Sequence, residues 1–198
     1  MNKTDRLIKR IIDITLSFIG LIGLGWLILL ASIISYFDTG LSGFYAQERI
    51  GQFGKKFKVF KIRSMKNIDG ILTTVSTDND PRITTFGRFW RKTKIDELPQ
   101  LYNVLKGNMS FVGPRPDVEG FADELKGDDK IILSIRPGIT GPASIYFKNE
   151  EEILAKQNDP ERYNREVIWP KKVKINKDYI ANYSFCRDIM YIFKTVYK

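Results

Sequence analysis

The 198 residues of this chain include no histidine and only one cysteine, Cys186. Without histidine, the imidazole that serves most enzymes as base or proton shuttle is missing, and the Ser-His and Cys-His arrangements go with it. A lone cysteine excludes an internal disulfide, and no Cys/His zinc spacing can be built. Negative charge is also scarce: 32 Lys and Arg face 23 Asp and Glu, giving a net charge of +9 and a pI near 9.5. That balance suits polyanionic partners such as nucleic acid, anionic lipid or phosphorylated substrates. There is no internal repeat or low-complexity tract, and 43% hydrophobic residues suffice for a folded core. Chemistry in this chain must therefore run on carboxylates, Lys and Arg, hydroxyls or a metal.

Charge is absent altogether from Ile14 to Phe37, 24 positions in a row. As a helix this run would reach about 36 Å, enough for a bilayer. It is long for a signal-peptide core and no A-x-A-like site follows, so a cleaved leader is not expected. Both flanks are basic: Lys3, Arg6, Lys9 and Arg10 before, Arg49, Lys55, Lys56, Lys58, Lys61 and Arg63 after. A spanning helix should carry its positive charge on one side. Two readings stand. In one, a re-entrant helix bends at Gly20, Gly23 or Gly25, with Ser17 satisfying freed backbone groups; in the other, a single span uses those glycines for packing. Asp13, at the apolar boundary, is expected to pair with Lys9 or Arg10.

Downstream, Phe57, Val59 and Ile62 suggest a short strand after a Gly51–Gly54 turn, and the polar stretch 66–81 reads as a loop. Over residues 82–95, Ile83, Phe86 and Trp90 recur at near-helical spacing among Arg82, Arg88, Arg91, Lys92 and Lys94. A basic amphipathic helix on anionic headgroups is favoured there over a core-packing helix, because an apolar anchor precedes it. Leu98, Leu101, Tyr102 and Leu105 predict a helix over about 97–106, with Pro99 in its first turn and Gly107-Asn108 as its stop. A strand at 109–112, a stiff Gly113-Pro114-Arg115-Pro116 turn, a helix near 117–126 and a second rigid turn at 136–142 follow. The charged region 149–168 is expected to be partly helical, 171–183 helical or extended, and 184–197 an amphipathic helix.

Asp96-Glu97 stands at the start of the helix expected at 97–106. Taken alone, such a pair is best read as a helix cap. Its setting allows more. A carboxylate kept ionised at a helix start can attack phosphorus, and its neighbour can help hold Mg²⁺ when substrate phosphates supply the other ligands. Arg115, between two prolines, offers a fork for phosphate oxygens, although such a turn also serves as a plain connector. Glycoside hydrolysis would need two carboxyls about 5 Å or more apart across a sugar, which adjacent residues do not provide.

The string Asp80-Pro81-Arg82-Ile83-Thr84, Gly87-Arg88, Arg91-Lys92-Thr93, Asp96-Glu97-Leu98-Pro99-Gln100-Leu101, Asn103-Val104-Leu105-Lys106-Gly107, Met109-Ser110 and Val112-Gly113-Pro114-Arg115-Pro116 closely resembles the bacterial sugar transferase family, the monotopic polyprenyl-phosphate phosphoglycosyl transferases. The resemblance extends back through Gln47, Arg49, Gly51, Gly54, Phe57, Lys61, Arg63, Ser64 and Met65 to Lys9-Arg10 and Asp13. It runs forward through Arg136–Gly141 to Lys194-Thr195-Val196. Where family members commonly carry Ser-Pro at a mid-membrane break, this chain has Gly25-Trp26, and Asn108 stands where an aspartate is common.

The resemblance implies an α+β fold: a re-entrant membrane segment over residues 1–40, and a catalytic domain over 41–198 that is mainly helical, with a small β-sheet and amphipathic interfacial helices. It implies a UDP-sugar:polyprenyl-phosphate sugar-1-phosphate transferase of the small form that holds only the catalytic core. This enzyme would pass a phospho-sugar from a UDP-sugar to undecaprenyl phosphate and release UMP, as the first membrane step of exopolysaccharide, capsule, O-antigen or glycoprotein assembly. Asp96 would be the nucleophile that carries the covalent phospho-sugar, with Mg²⁺ held by Glu97 and Asp96. Arg115 would bind phosphate, and Lys61, Arg63, Arg88 and Arg136 would touch phosphate or the membrane surface. Expected partners are the UDP-sugar, undecaprenyl phosphate and bacterial membrane lipids, with a homo-oligomer left open. The implied location is the cytoplasmic face of the bacterial inner membrane. The competing reading is a basic, membrane-anchored binding module without enzymatic activity. The sequence holds no nucleic-acid motif.

Overall fold

In the computed structural model, which describes residues 1–68 and 80–197, the apolar run belongs to one 37-residue helix, α1 (Lys3–Thr39). Asn2 and Asp5 close a capping box at its start and Gly40, in the left-handed region, ends it. The helix passes through Gly25 and Trp26 without a non-helical residue, so the expected break does not appear there. At about 1.5 Å per residue its path is about 55 Å long, enough to cross a membrane.

The buried positions of α1 are Lys9, Asp13, Ser17, Ile28, Ala31 and Ser35, which share one stripe about 100° wide at helical periodicity. Four of the six are polar or charged. The opposite face exposes Leu7, Ile11, Ile22, Trp26, Leu29, Ile33 and Phe37. This helix is polar toward protein and apolar outward, the reverse of a surface helix in water and the pattern suited to lipid. Gly20 serves packing: a Cβ there would lie 3.1 Å from Leu101 Cδ1, whereas Gly23 and Gly25 face open space.

The N-terminal part of the polar stripe is bonded into the fold, whereas the Ser35 hydroxyl is buried without a partner among the described residues. Lys9 forms an ion pair with Asp188, which also accepts from the Tyr179 hydroxyl at 2.6 Å. Arg10 donates to the carbonyls of Val104 and Leu105 at 2.7 and 2.8 Å. Asp13 accepts from the Ser110 hydroxyl and the Phe111 N–H, both at 3.1 Å. Asp13 therefore does not pair with a basic neighbour as expected. A buried carboxylate gains more from two aligned donors in the adjoining fold than from flexible side chains one turn away.

The rest of the fold is built on that helix. Strands β1 (Phe44–Ile50) and β2 (Lys56–Ile62) form an antiparallel hairpin that pairs Arg49 with Phe57 and Tyr45 with Lys61, joined by a 3₁₀ turn at Gln52–Gly54. Helix α2 (Thr85–Thr93) lies inside the expected span 82–95. Its apolar face is divided. Ile83 and Trp90 are buried, Trp90 against Ile28, Ala31 and Ile62, while Phe86 and Phe89 stay exposed. α3 (Gln100–Lys106) ends at Gly107 as expected. The stretch 66–81 lies mostly outside the described residues.

β3 (Ser110–Val112) and β4 (Gly138–Thr140) make a second, parallel two-stranded sheet, where one small sheet was expected. The helix expected near 117–126 is reduced to one 3₁₀ turn at Ala122–Glu124, since Pro116 and Gly120 leave too short a run to propagate. α4 (Pro142–Tyr146), α5 (Glu150–Ala155) and α6 (Pro160–Tyr163) lead through a π-turn at Asn164–Ile168 into α7 (Trp169–Ala181). α8 (Phe185–Val196) closes the fold, exposing Phe185, Ile189, Met190 and Phe193.

Candidate active site

The route from α2 into the acidic pair is a sharp bend. Lys94 adopts φ +61°, a left-handed conformation that costs a lysine of order 1 kcal/mol. The 3₁₀ turn Ile95–Glu97 follows directly. Ile95 and Leu98, on either side of the two acids, pack into the cluster of Ile28, Ala31, Ile62 and Trp90. The apolar helix α1 thus anchors both ends of the dyad.

Asn103, wholly buried on α3, donates to the Lys58 carbonyl at 2.7 Å and accepts from the Phe60 N–H at 3.0 Å. Its amide completes the open edge of β2 where a third strand would otherwise pair. The same contact sets α3 against β2, so that Lys61 meets Glu97 at 3.3 Å.

Arg115 arrives from the opposite direction. The two rigid turns cross at Gly113, Gly138 and Gly141: a Cβ on Gly138 would lie 2.2 Å from the Gly113 nitrogen, and one on Gly141 2.1 Å from the Gly113 carbonyl oxygen. The Gly113 N–H donates to the Thr140 carbonyl and the Gly138 N–H to the Pro114 carbonyl, at 2.9 and 2.8 Å. This crossing holds Arg115, whose Nη2 is 3.0 Å from Glu97 Oε1, the oxygen Lys61 also contacts.

The two acids consequently differ. Glu97 is an ion-pair hub. Burial alone would raise its pKa, but Arg115, Lys61 and Lys94 outweigh that and hold the carboxyl well below the ordinary range. Asp96 is only 7% exposed; among the described residues it makes no ion pair, and its Oδ1 is buried without a hydrogen-bond partner. Burial, followed by the neighbouring Glu97 charge, pushes its pKa up to about 6, while Lys61, Lys94 and Arg91 draw it down. Neither acid caps α3, whose N-cap is Pro99 with no side-chain bond. The capping reading fails because the chain bends three residues before the helix begins.

A buried, desolvated carboxylate with a free oxygen beside two fixed cations suits attack on a phosphorus atom. Among the described residues no group of three or more acids, histidines and cysteines converges. Two adjacent carboxylates with one orphaned oxygen do fit a hard cation that draws its remaining ligands from phosphates and water.

Of the expected site residues, Asp96, Glu97, Lys61 and Arg115 come together. Arg63 donates to the Ser42 carbonyl at 2.7 Å and lies over the Tyr45 ring. Arg136 donates to the Gly107 carbonyl at 2.9 Å, joining Arg10 at the C-terminal end of α3, where positive charge meets the unsatisfied carbonyls. Arg88 stands exposed on α2.

Asp117 and Arg49 are additions that the sequence reading did not assign to the site. Burial pushes Asp117 up to about 6, against the pull of Lys172, Arg49 and Arg115. The acidic start of α5 also finds a use: Glu150 pairs with Lys172 at 2.7 Å and Glu151 with Arg91 at 3.0 Å. The pairing of β1 with β2 puts Arg49 on the hairpin face of Lys61, and the sequence reading had no strand at 44–50 from which to see it.

Comparison with known proteins agrees with this arrangement. The chain matches the bacterial sugar transferase family over residues 4–198. It is 34% identical over 204 residues to an exopolysaccharide production protein ExoY of Sinorhizobium fredii, covering 95% of this chain and 83% of that protein. It is 34% identical to the UDP-glucose:undecaprenyl-phosphate glucose-1-phosphate transferase of Escherichia coli, covering 100% of this chain and 41% of that protein. It is 33% identical to a UDP-galactose-lipid carrier transferase of Erwinia amylovora, covering 98% and 40%. The chain thus spans about two fifths of the length of the latter two relatives. With a match from residue 4 to residue 198, around a dyad that anchors on the apolar helix, the chain belongs to the bacterial sugar transferase family.

Proposed function

We propose that this chain transfers a sugar 1-phosphate from a UDP-sugar to undecaprenyl phosphate, releasing UMP, and so begins the assembly of a bacterial glycan. The observation that carries the reading is the division of labour in the dyad: Glu97 is locked by Lys61 and Arg115, while Asp96 keeps a buried, unpartnered oxygen.

In the first step an ionised Asp96 oxygen attacks the sugar-bearing phosphorus of the donor. The bond from that phosphorus to the bridging oxygen breaks, and UMP leaves with the electron pair. In the second, a phosphate oxygen of undecaprenyl phosphate attacks the same phosphorus. The acyl-phosphate bond breaks, Asp96 returns as a carboxylate, and the product is a polyprenyl diphosphate sugar. Mg²⁺, held by Asp96 and Glu97 together with phosphate oxygens, would neutralise charge on the diphosphate when bound. Arg115 and Lys61 draw the phosphates to the dyad, and burial strips water from Asp96.

Both ends of α1 are proposed to stay on the cytoplasmic side of the inner membrane. In support, one fold contacts the helix from Lys9 through Gly20 to Ala31, and a Cβ on Gly43 would strike the Ser32 carbonyl at 1.9 Å. A helix that crossed the bilayer would carry one of those ends out of reach of a cytoplasmic domain.

The purified protein, given Mg²⁺, a UDP-sugar and undecaprenyl phosphate, should release UMP in turnover amounts. Mass spectrometry after incubation with the donor alone should find a phospho-sugar adduct on Asp96. An Asp96→Asn protein that retained turnover would remove the nucleophile assignment.

A further inference from the structure

Arg49 is the candidate that neither the dyad chemistry nor the packing of the fold uses up. It sits on β1 opposite Phe57, on the same hairpin face as Lys61, which lies opposite Tyr45. Its side chain is partly buried and donates one hydrogen bond, from Nη2 to the Gln47 amide oxygen at 2.6 Å. Among the described residues no carboxylate lies within 4 Å of it, although Arg49 feels the charges of Arg115, Asp117 and Glu97. A guanidinium carries five N–H donors, and four of these are left for another acceptor.

The surroundings make that surplus informative. Burial and the neighbouring Arg115 both disfavour the charge on Arg49. Two guanidinia sharing a half-buried site repel each other, and the nearby acids relieve this only in part: Glu97 gives its Oε1 to Arg115 and Lys61, and the pull of Asp117 on Arg49 is outweighed by burial and Arg115. An anion with several acceptor oxygens placed between the guanidinia would satisfy both forks and remove the repulsion.

We propose that Arg49 is a phosphate-binding residue of this site, gripping with Arg115 a phosphate oxygen of the substrate that Asp96 attacks or of the lipid phosphate that follows. The inference rests on the transferase reading above. It adds a residue on the hairpin to a site otherwise drawn from the dyad, β2 and the rigid turn.

The test is steady-state UMP release by the full chain in detergent or nanodiscs, comparing wild type with Arg49→Gln, varying UDP-sugar and undecaprenyl phosphate in turn. Loss of a charge-assisted fork should raise the KM for one of the two roughly tenfold or more, with kcat changed much less. Which KM moves tells the nucleotide diphosphate from the lipid phosphate. Both KM values unchanged, or a fall in kcat alone, would overturn the proposal. Absence of UMP release by the wild type would instead fail the underlying transferase reading. If Arg49→Gln does not fold, Arg49→Met keeps the apolar stem and carries the same measurement; failure of both to fold would assign Arg49 a structural role and refute the inference.

Discussion

Replacing Asp96 by Asn should abolish turnover and at the same time make the protein more stable. The carboxyl is buried and its pKa is raised from 3.8 to about 6. At roughly 1.4 kcal/mol per pH unit, ionising it in the folded state costs about 3 kcal/mol more than in the unfolded chain once the pH is above 6. Asn removes that cost, but it buries an amide whose donors find no partner, returning about 1–2 kcal/mol. A net gain of about 1–2 kcal/mol remains, a few degrees in Tm for a chain of this size. The sign with pH follows from the direction of the shift. The folded protein binds this proton more tightly than the unfolded one, so the wild-type penalty is full above about 6 and fades as the pH falls toward 3.8. The advantage of Asp96→Asn should therefore be largest at pH 7.5 and shrink toward pH 5. Thermal unfolding of both proteins in the same detergent between pH 5 and 8 measures it. A variant that melts no higher than wild type at pH 7.5, or an advantage independent of pH, would refute the account of Asp96 as a buried, uncompensated carboxylate. Since attack needs the ionised form, wild-type kcat/KM should also fall as the pH drops through about 6.

Asn103→Ala should cost about 2–3 kcal/mol, because it strips both hydrogen bonds from the β2 edge and leaves a cavity; denaturant unfolding reads the loss, and an effect under 1 kcal/mol would contradict the edge-pairing role. Asp188→Ala strands Lys9 in a buried site and removes the acceptor of Tyr179, so a loss of about 3–5 kcal/mol is expected, with Lys9→Met restoring part of it in the double variant. In a Cys186→Ser background, cysteines replacing Lys3 and Glu48 should both be labelled from the cytoplasmic side of intact cells or oriented vesicles. Labelling from opposite sides would establish a helix that crosses the membrane.

Much of the site was legible because its residues are close in sequence or in rigid turns. Asp96-Glu97 and Pro114-Arg115-Pro116 announce themselves locally, and the exclusion of histidine and disulfide chemistry needs only composition. The division between the two acids was not legible. Glu97 becomes ionised and paired, and Asp96 desolvated, because β2 and the turn crossing bring two cations to one side of the dyad. Adjacent positions in a sequence carry no record of which one will be buried.

The same limit explains the arginines. Arg63, Arg115 and Arg136 look alike as basic residues in family-like motifs, yet only Arg115 reaches Glu97, while Arg136 caps α3 and Arg63 holds the Ser42 carbonyl. Trp90 likewise had a helical spacing for which the lipid surface was favoured over the core, and the arrival of α1 decided for the core.

By itself the sequence determined that this chain carries a long charge-free helix, carboxylate chemistry without histidine and a basic surface for phosphorylated partners, since these follow from composition and local periodicity. Only the tertiary structure decided that the helix turns its polar stripe inward along the fold and its apolar face outward, and that one acid of the dyad is neutralised by partners while the other keeps a free oxygen. Burial and charge pairing depend on residues far apart in the chain, and no local pattern encodes them.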